Sequence, residues 1–329
     1  MSHEAGAGGN AEGGSSGDES GSGGDMPSAG GGGKPTVGCD CTVGEYCQDG
    51  TTKCRKCADF SRLEFGTAQK LGTLALSIER FPRSAGIGSQ LFYVSGAPDQ
   101  ARILYTAAPV SGAGVTLTPP TQVESGPLYV NGYAEQNLFF DRQQPDGRKL
   151  MMATWTAPDL RTADALVPAP INASGFDDYS IAISPNTGHV YWMSTRNGAP
   201  ELLWQPTSLS APPAPAPLDL KLKVGSAECA RSGDDATPWV NLAGTLLLFS
   251  NPSLNDSCEP NDSGASDLYA APLNKEGTAA GSAIALGSLN VTGGTSRETD
   301  PSLSPDSCAI YFASDNGTRN FDLYRAPRN

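Results

Sequence analysis

From about residue 60 onward the chain alternates short apolar runs with clusters of Gly, Pro, Asn, Asp and Ser. Runs such as LFYVS from Leu91, VYWMS from Val190, LLLFS from Leu246 and IYFAS from Ile310 have strand length. They are rich in aromatic and branched residues and are bounded by turn formers. After a polar loop each is followed by a second run: ILYTAAP, ELLWQP, DLYAAP or DLYRAP. The central aromatics Tyr93, Phe140, Trp192, Phe249 and Phe312 stand 47, 52, 57 and 63 residues apart, close to one four-stranded unit each. Before each unit comes an apolar or Pro-bounded stretch able to supply an outer strand: FGTAQKLGTL from Phe65, VTLTPPTQV from Val115, TADALVPAP from Thr162, APLDLKLKV from Ala216 and SAIALGSLNV from Ser282. The pattern predicts an all-β chain of tandem units. A sandwich would not predict such copies.

The part before residue 60 reads differently. Residues 1–37 are a Gly/Ser stretch in which the first 33 residues hold 13 of the 39 Gly and no Lys or Arg, so too little apolar surface exists to offset the entropy of ordering it. It reads as a disordered, self-repelling tether. Residues 38–58 hold Cys39, Cys41, Cys47, Cys54 and Cys57 among turn residues, and so short a segment needs cross-links to hold a shape. Disulfides and a four-thiolate Zn site both suit this spacing. The fifth Cys and the three downstream, Cys229, Cys258 and Cys308, weigh towards disulfides and an exported protein.

The last unit, ETDPSLSPDSCAIYFASDNGTRNFDLYRAPRN from Glu298, carries an SPD turn, an apolar strand and a DLY strand. It resembles the WD-like repeat of TolB-type β-propellers, in which such a turn joins the inner two strands. SPNTGHVYWMS from Ser184, NLAGTLLLFS from Asn241 and SQLFYVS from Ser89 are further copies, and NLFFDRQQPDGRKLMMATW from Asn137 is a weaker one without the SPD turn. The resemblance implies a β-propeller over residues 59–329 with five four-stranded blades, six being the alternative because TolB itself has six. The unpartnered outer strand near Phe65 would close the last blade, leaving no open sheet edge. On that scaffold the loops carrying Cys229 and Cys258 share one face and can meet. Cys308, on the opposite face, would take a partner from the Cys-rich segment, Cys54 or Cys57, leaving two bonds within that segment. A Gly/Ser tether followed by such a knot also looks like the mature start of bacterial envelope lipoproteins. It implies an extracellular or cell-envelope location and a lipid anchor upstream of Met1.

Charge and chemistry then narrow the function. A formal charge of −13 argues against nucleic acid or an anionic lipid surface as partner, and no apolar run is long enough to span a membrane. Only His3 and His189 exist, so chemistry that needs two histidines in one domain is out of reach, and His189 reads as an exposed turn residue. Aligned on the aromatic, Glu79, Asp178, Asp235 and Glu298 fall in one column, joined by Asp177, Asp234 and Asp300; only the second unit departs. At the mouth of a propeller channel this column would form an acidic binding ring for Ca²⁺ or a cationic partner, against the plainer reading that the acids cap inner-strand backbone. Asp256, Glu259 and Asp262 in the acidic insertion are a second candidate for Ca²⁺; no other cofactor is expected. With no catalytic constellation in view, the expected function is a non-catalytic, surface-tethered binding or scaffolding propeller whose partner is an envelope protein or glycan, and not an enzyme. The alternative is a propeller glycoside hydrolase, or other carbohydrate-active protein, using funnel carboxylates.

Overall fold

A computed structural model describes residues 45–47, 53–71, 79–84, 90–95, 102–107, 121–125, 128–134, 137–157, 160–161, 164–206, 214–231, 237–261, 264–291, 295–318 and 320–329. The expected tether lies outside these residues, as do Cys39 and Cys41; residues 37–329 form one compact unit.

Among the described residues every regular element is a strand. The first sheet runs Glu79–Ser84, Gln90–Ser95, Arg102–Ala107 and Thr121–Ser125, each antiparallel to the one before. In the second, Leu128–Ala134, Asn137–Gln144 and Gly147–Ala157 are edged by the short strands Leu160–Arg161 and Ala165–Leu166. Asp178–Ser184, His189–Ser194, Glu201–Pro206 and Ala216–Pro217 make the third, and Trp239–Val240, Leu246–Pro252, Ser266–Pro272 and Ala283–Ala285 the fourth. The fifth takes Glu298–Leu303, Ala309–Ser314 and Asp322–Pro327 from the end of the chain, with Gln69–Lys70 from near its start. The first strand of each sheet contacts the first strand of the next, and that of the fifth contacts that of the first. The sheets are therefore the blades of a closed propeller.

The recurring aromatics make its core. Tyr93, Phe140, Trp192 and Phe249 are wholly buried and Phe312 is nearly so, each in the second strand of its blade, where both faces pack on neighbouring blades. Phe312 joins Leu246, Leu248, Leu268 and Leu303 in one cluster, so the fourth and fifth blades share a core.

One outer strand departs from expectation. The stretch from Ala216 to Val224 supplies only Ala216–Pro217 to the third blade, because the prolines around it have no N–H to continue the ladder. Lys221–Val224 instead runs parallel to Ala283–Ala285 and turns back as Ala227–Ala230, extending the fourth blade to six strands. The alternating burial of Lys221–Val224 places Leu222 in the core beside Leu218 and Leu220.

Closure is reinforced beyond the strand pair. The Gly66 N–H donates to the Pro327 carbonyl at 2.8 Å, and the Asn329 N–H to Glu64 at 3.1 Å. Buried Arg328 donates to the carbonyls of Asp59 and Arg62 at 2.8 and 2.7 Å, with its guanidinium 5.5 Å from the Phe65 ring centroid. Cys57 is bonded to Cys308, and Cys229 to Cys258, with Cα separations of 4.9 and 5.2 Å. The second is the expected pair, and of the two candidate partners Cys54 and Cys57 it is Cys57 that takes Cys308. Cys54 is disulfide-bonded as well, and no described cysteine is free.

Candidate functional site

The acid column occupies one repeated position. Glu79, Asp178 and Glu298 each open an inner strand and pair across to a serine, namely Ser95, Ser194 and Ser314. Beyond each acid the ladder skips, between Arg80 and Arg83, Tyr179 and Ala182, and Thr299 and Ser302. The residue two past the acid is left-handed at Ser180 (φ 53°) and Asp300 (φ 58°), and Thr237 (φ 36°) holds the same place in the fourth blade. A non-glycine residue in this region costs about 1–3 kcal/mol unless its surroundings fix it. Thr237 is fixed by its side chain: its hydroxyl shares a 3.0 Å bond with the Ser250 hydroxyl and accepts the Asp300 N–H at 3.1 Å, tying the fourth blade to the fifth. Asp235 and Asp234 lie outside the described residues.

The carboxylates described in this column are used inside the fold. Asp178 is fully buried; one oxygen accepts from Trp192 Nε1 at 3.0 Å and Arg196 Nη2 at 2.8 Å, the other from the Ala173 N–H at 2.9 Å. Asp177 accepts from the Arg148 N–H at 2.7 Å. Glu298, also fully buried, accepts from the hydroxyls of Ser296 and Ser314, the latter at 2.8 Å. These contacts go to side chains and to the backbone of Ala173 and Arg148, rather than to the backbone of the inner strands. In the acidic insertion, Asp256 and Glu259 are exposed, and Asn255 Oδ1 accepts the N–H groups of Ser257 and Glu259 in a tight turn. Asp262 lies outside the described residues, among which no three His, Cys, Asp or Glu side chains come together to hold a metal ion.

His189 corrects the reading of an exposed turn residue. It is only 6% exposed, because a turn of the fourth blade covers it, a contact no local pattern announces. Two of the Asn-x-Ser/Thr sequences are structural as well: the side chains of Asn172 and Asn290 bond both backbone groups of Leu150 and Leu268, bracing the third strands of the second and fourth blades.

A cleft of about 240 Å³ opens where the fourth blade meets the fifth. Its walls include Asn251, Asn261 and Ser266 from the fourth blade and Arg297, Thr299 and Phe321 from the fifth. Arg297 is held in place, donating to Asp315 at 2.7 Å with its guanidinium 4.7 Å from the Phe321 centroid. Burial works to raise the Asp315 carboxyl, but hydrogen bonds from Arg297 and the Gly317 N–H outweigh it and hold the group below the usual carboxylate range. The loop forming the opposite wall is pinned by Cys229–Cys258 and by the bridge between Leu254 and Pro260.

Two carboxyls with raised proton affinity lie next in sequence to lining residues of this cleft. Asp267 follows cleft-lining Ser266 and pairs across the strands with Asn251; Glu298 stands between Arg297 and Thr299. Burial pushes both upward. A Ser253 hydrogen bond opposes the shift at Asp267, and the bonds from Ser296, Ser314 and Val291 oppose it at Glu298. The charge of Asp267 adds a further, smaller push upward at Glu298. Sequence reasoning found Glu298 and missed Asp267, although DLY recurs at Asp267 and Asp322. Asp322 forms a 2.7 Å ion pair with Lys70, whereas Asp267 is desolvated.

No family model and no curated protein matches the sequence. Solved structures match the fold. The chain is 10% identical to TolB from Acinetobacter baumannii over 76% of its own length and 54% of that chain, with a TM-score of 0.43, so it spans about half of TolB. A GH43_1 enzyme from Xanthomonas citri complexed with xylose is 13% identical, covering 79% of this chain and 89% of that one at a TM-score of 0.47. A mannose phosphorylase from Leishmania mexicana, in complex with phosphate ion, is 11% identical over 81% and 89% at 0.45. The expected non-catalytic scaffold is corrected on this point: the structures matched include carbohydrate enzymes beside TolB, so the architecture gives that reading no preference. Likeness this distant carries no activity to the chain. The functional reading rests on the site.

Proposed function

We propose that the chain is a carbohydrate-active protein of the glycoside-hydrolase type, working at the seam between its fourth and fifth blades. The observation that carries this reading is the pair Asp267 and Glu298, two desolvated carboxyls whose proton affinity is raised and which adjoin in sequence the lining of a solvent-open cleft of amide, hydroxyl and guanidinium side chains. Glycoside hydrolysis needs a carboxylic acid that keeps its proton near neutral pH to protonate the leaving oxygen, and a second carboxyl close by. Asp267, the less buried of the two, is the proton donor; Glu298 is the second carboxyl, whose own proton is held more firmly once Asp267 is charged. The disulfides support an oxidising, exported setting, consistent with a glycan of the cell envelope as substrate. Among the described residues no helix is long and apolar enough to cross a membrane.

The test is release of reducing ends from a panel of plant and bacterial polysaccharides. The native protein is expected to act on at least one of them, and Asp267→Asn to lose roughly 10²–10⁴-fold in rate, the usual contribution of a positioned proton donor. Glu298→Gln, which leaves the proton donor in place, should keep measurable activity with the alkaline limb of the pH profile unmoved, because burial and not the charge of Glu298 raises Asp267. No release above blank on any substrate by folded protein would overturn the reading.

A further inference from the structure

Away from the cleft, at the opposite end of the blades, His189 begins the second strand of the third blade. Its ring lies against Gly277, in the turn Asn274–Thr278 of the fourth blade. A side chain on Gly277 would stand 2.6 Å from Nδ1 of His189, and the φ of +83° there already favours glycine. The turn is well built. Asn274 Oδ1 accepts the N–H groups of Glu276 and Thr278 at 3.1 and 3.0 Å, and the buried Tyr191 hydroxyl donates to the Gly277 carbonyl at 2.9 Å. The edge of His189 meets the Trp204 ring at a centroid distance of 6.0 Å. Nδ1 of His189 is buried and has no hydrogen-bond partner among the described residues.

We propose that this contact is an acid-released clasp between the third and fourth blades, closed over neutral His189 and opened by its protonation. A second proton on a covered ring has no acceptor beneath Gly277, so the charged form is accommodated by lifting the turn into water. The charged groups around it do little to offset this. Glu276, on the turn, draws the proton weakly through its charge; its side chain is 58% exposed and lies 3.6 Å from that of Lys275. Tyr191 on the same strand stays protonated, and the neighbouring strand presents the uncharged Trp204. Burial accordingly holds the imidazole below its ordinary 6.5. With the folded value depressed, stability is fully present above pH 6.5 and declines as the pH falls below it.

The experiment is backbone amide exchange of Gly277 and Thr278 at pH 7 and pH 5, corrected for the intrinsic pH dependence, with Trp fluorescence followed in parallel. Exchange should quicken at pH 5 by a factor between about three and about thirty, the upper limit being set by full protonation of an ordinary imidazole in the opened turn. His189→Gln, which carries no proton to gain, should show equal corrected exchange at the two pH values and no fluorescence transition. His189→Phe, filling the same space with an apolar ring, serves as the second variant and should behave alike. Equal exchange at both pH values in the native protein, or the same acid-induced loosening in either variant, would overturn the clasp.

Discussion

Asp178→Ala should cost about 3–5 kcal/mol of stability, because it leaves the Arg196 charge and a buried indole N–H without their acceptor. Arg196 does more than pair with Asp178. It donates to the carbonyls of Pro170 and Ile171 at 3.1 and 2.7 Å and lies 5.4 Å from the Trp192 centroid, so it braces the loop that enters the third blade. With Asp178 fully buried and the Arg196 side chain only 15% exposed, solvent screens the pair weakly. Asp178→Asn keeps the shape but turns one acceptor oxygen into a donor facing donors, and should lose more than half as much. Replacing Arg196 by Met in the Asp178→Ala background should restore part of the loss, since an unpaired buried charge is the costly state. Denaturant unfolding of the four proteins measures this. A loss under 1 kcal/mol for Asp178→Ala would show that the column is not structural in the third blade.

The second large effect concerns closure. Converting Cys57 and Cys308 together to Ser opens a covalent loop spanning 251 residues. Loop entropy alone assigns such a bond about 5 kcal/mol, with measured disulfides nearer 2–4 kcal/mol. The segment around Phe65 keeps its hydrogen bonds to Pro327, Arg328 and Asn329, so the ring should still form and unfold at lower denaturant. Removing Cys229 and Cys258, whose separation is 29 residues, should cost less, because a shorter loop constrains the unfolded chain less. If the Cys57/Cys308 variant matched the native protein in unfolding midpoint, the closure would owe nothing to its disulfide.

These results bear on what was legible in the sequence. The tandem units and their aromatic column were legible because they repeat, while the blades and the closing strand followed from the resemblance to TolB-type propellers. The pairing of Cys229 with Cys258 followed once the loops could be put on faces, as did a bond from Cys308 to the Cys-rich segment; that Cys57 and not Cys54 makes it came from the structure. What remained hidden depends on a neighbour from another blade. Asp178 looked like a channel acid because Arg196, 18 residues on, carries no mark that it folds back to meet it. His189 looked exposed because its cover, Gly277, is supplied by the following blade. Lys221–Val224 was given to the wrong blade, since it was read as one outer strand with Ala216–Pro217. Asp267 was missed for a similar reason: the same DLY motif has an ion-paired acid in the fifth blade and a desolvated one in the fourth, and desolvation is a property of the assembled seam.

The proposed function requires that Asp267 and Glu298 hold protons above the ordinary carboxyl range and that the charge of Asp267 adds to the rise at Glu298. Side-chain carboxyl ¹³C shifts followed through a pH titration of the native protein, Asp267→Asn and Glu298→Gln measure this directly. The account predicts two raised titrations in the native protein, with Glu298 falling back towards its ordinary 4.5 when Asp267 is replaced. Ordinary carboxyl titrations at both positions, or a Glu298 titration unmoved by Asp267→Asn, would contradict it.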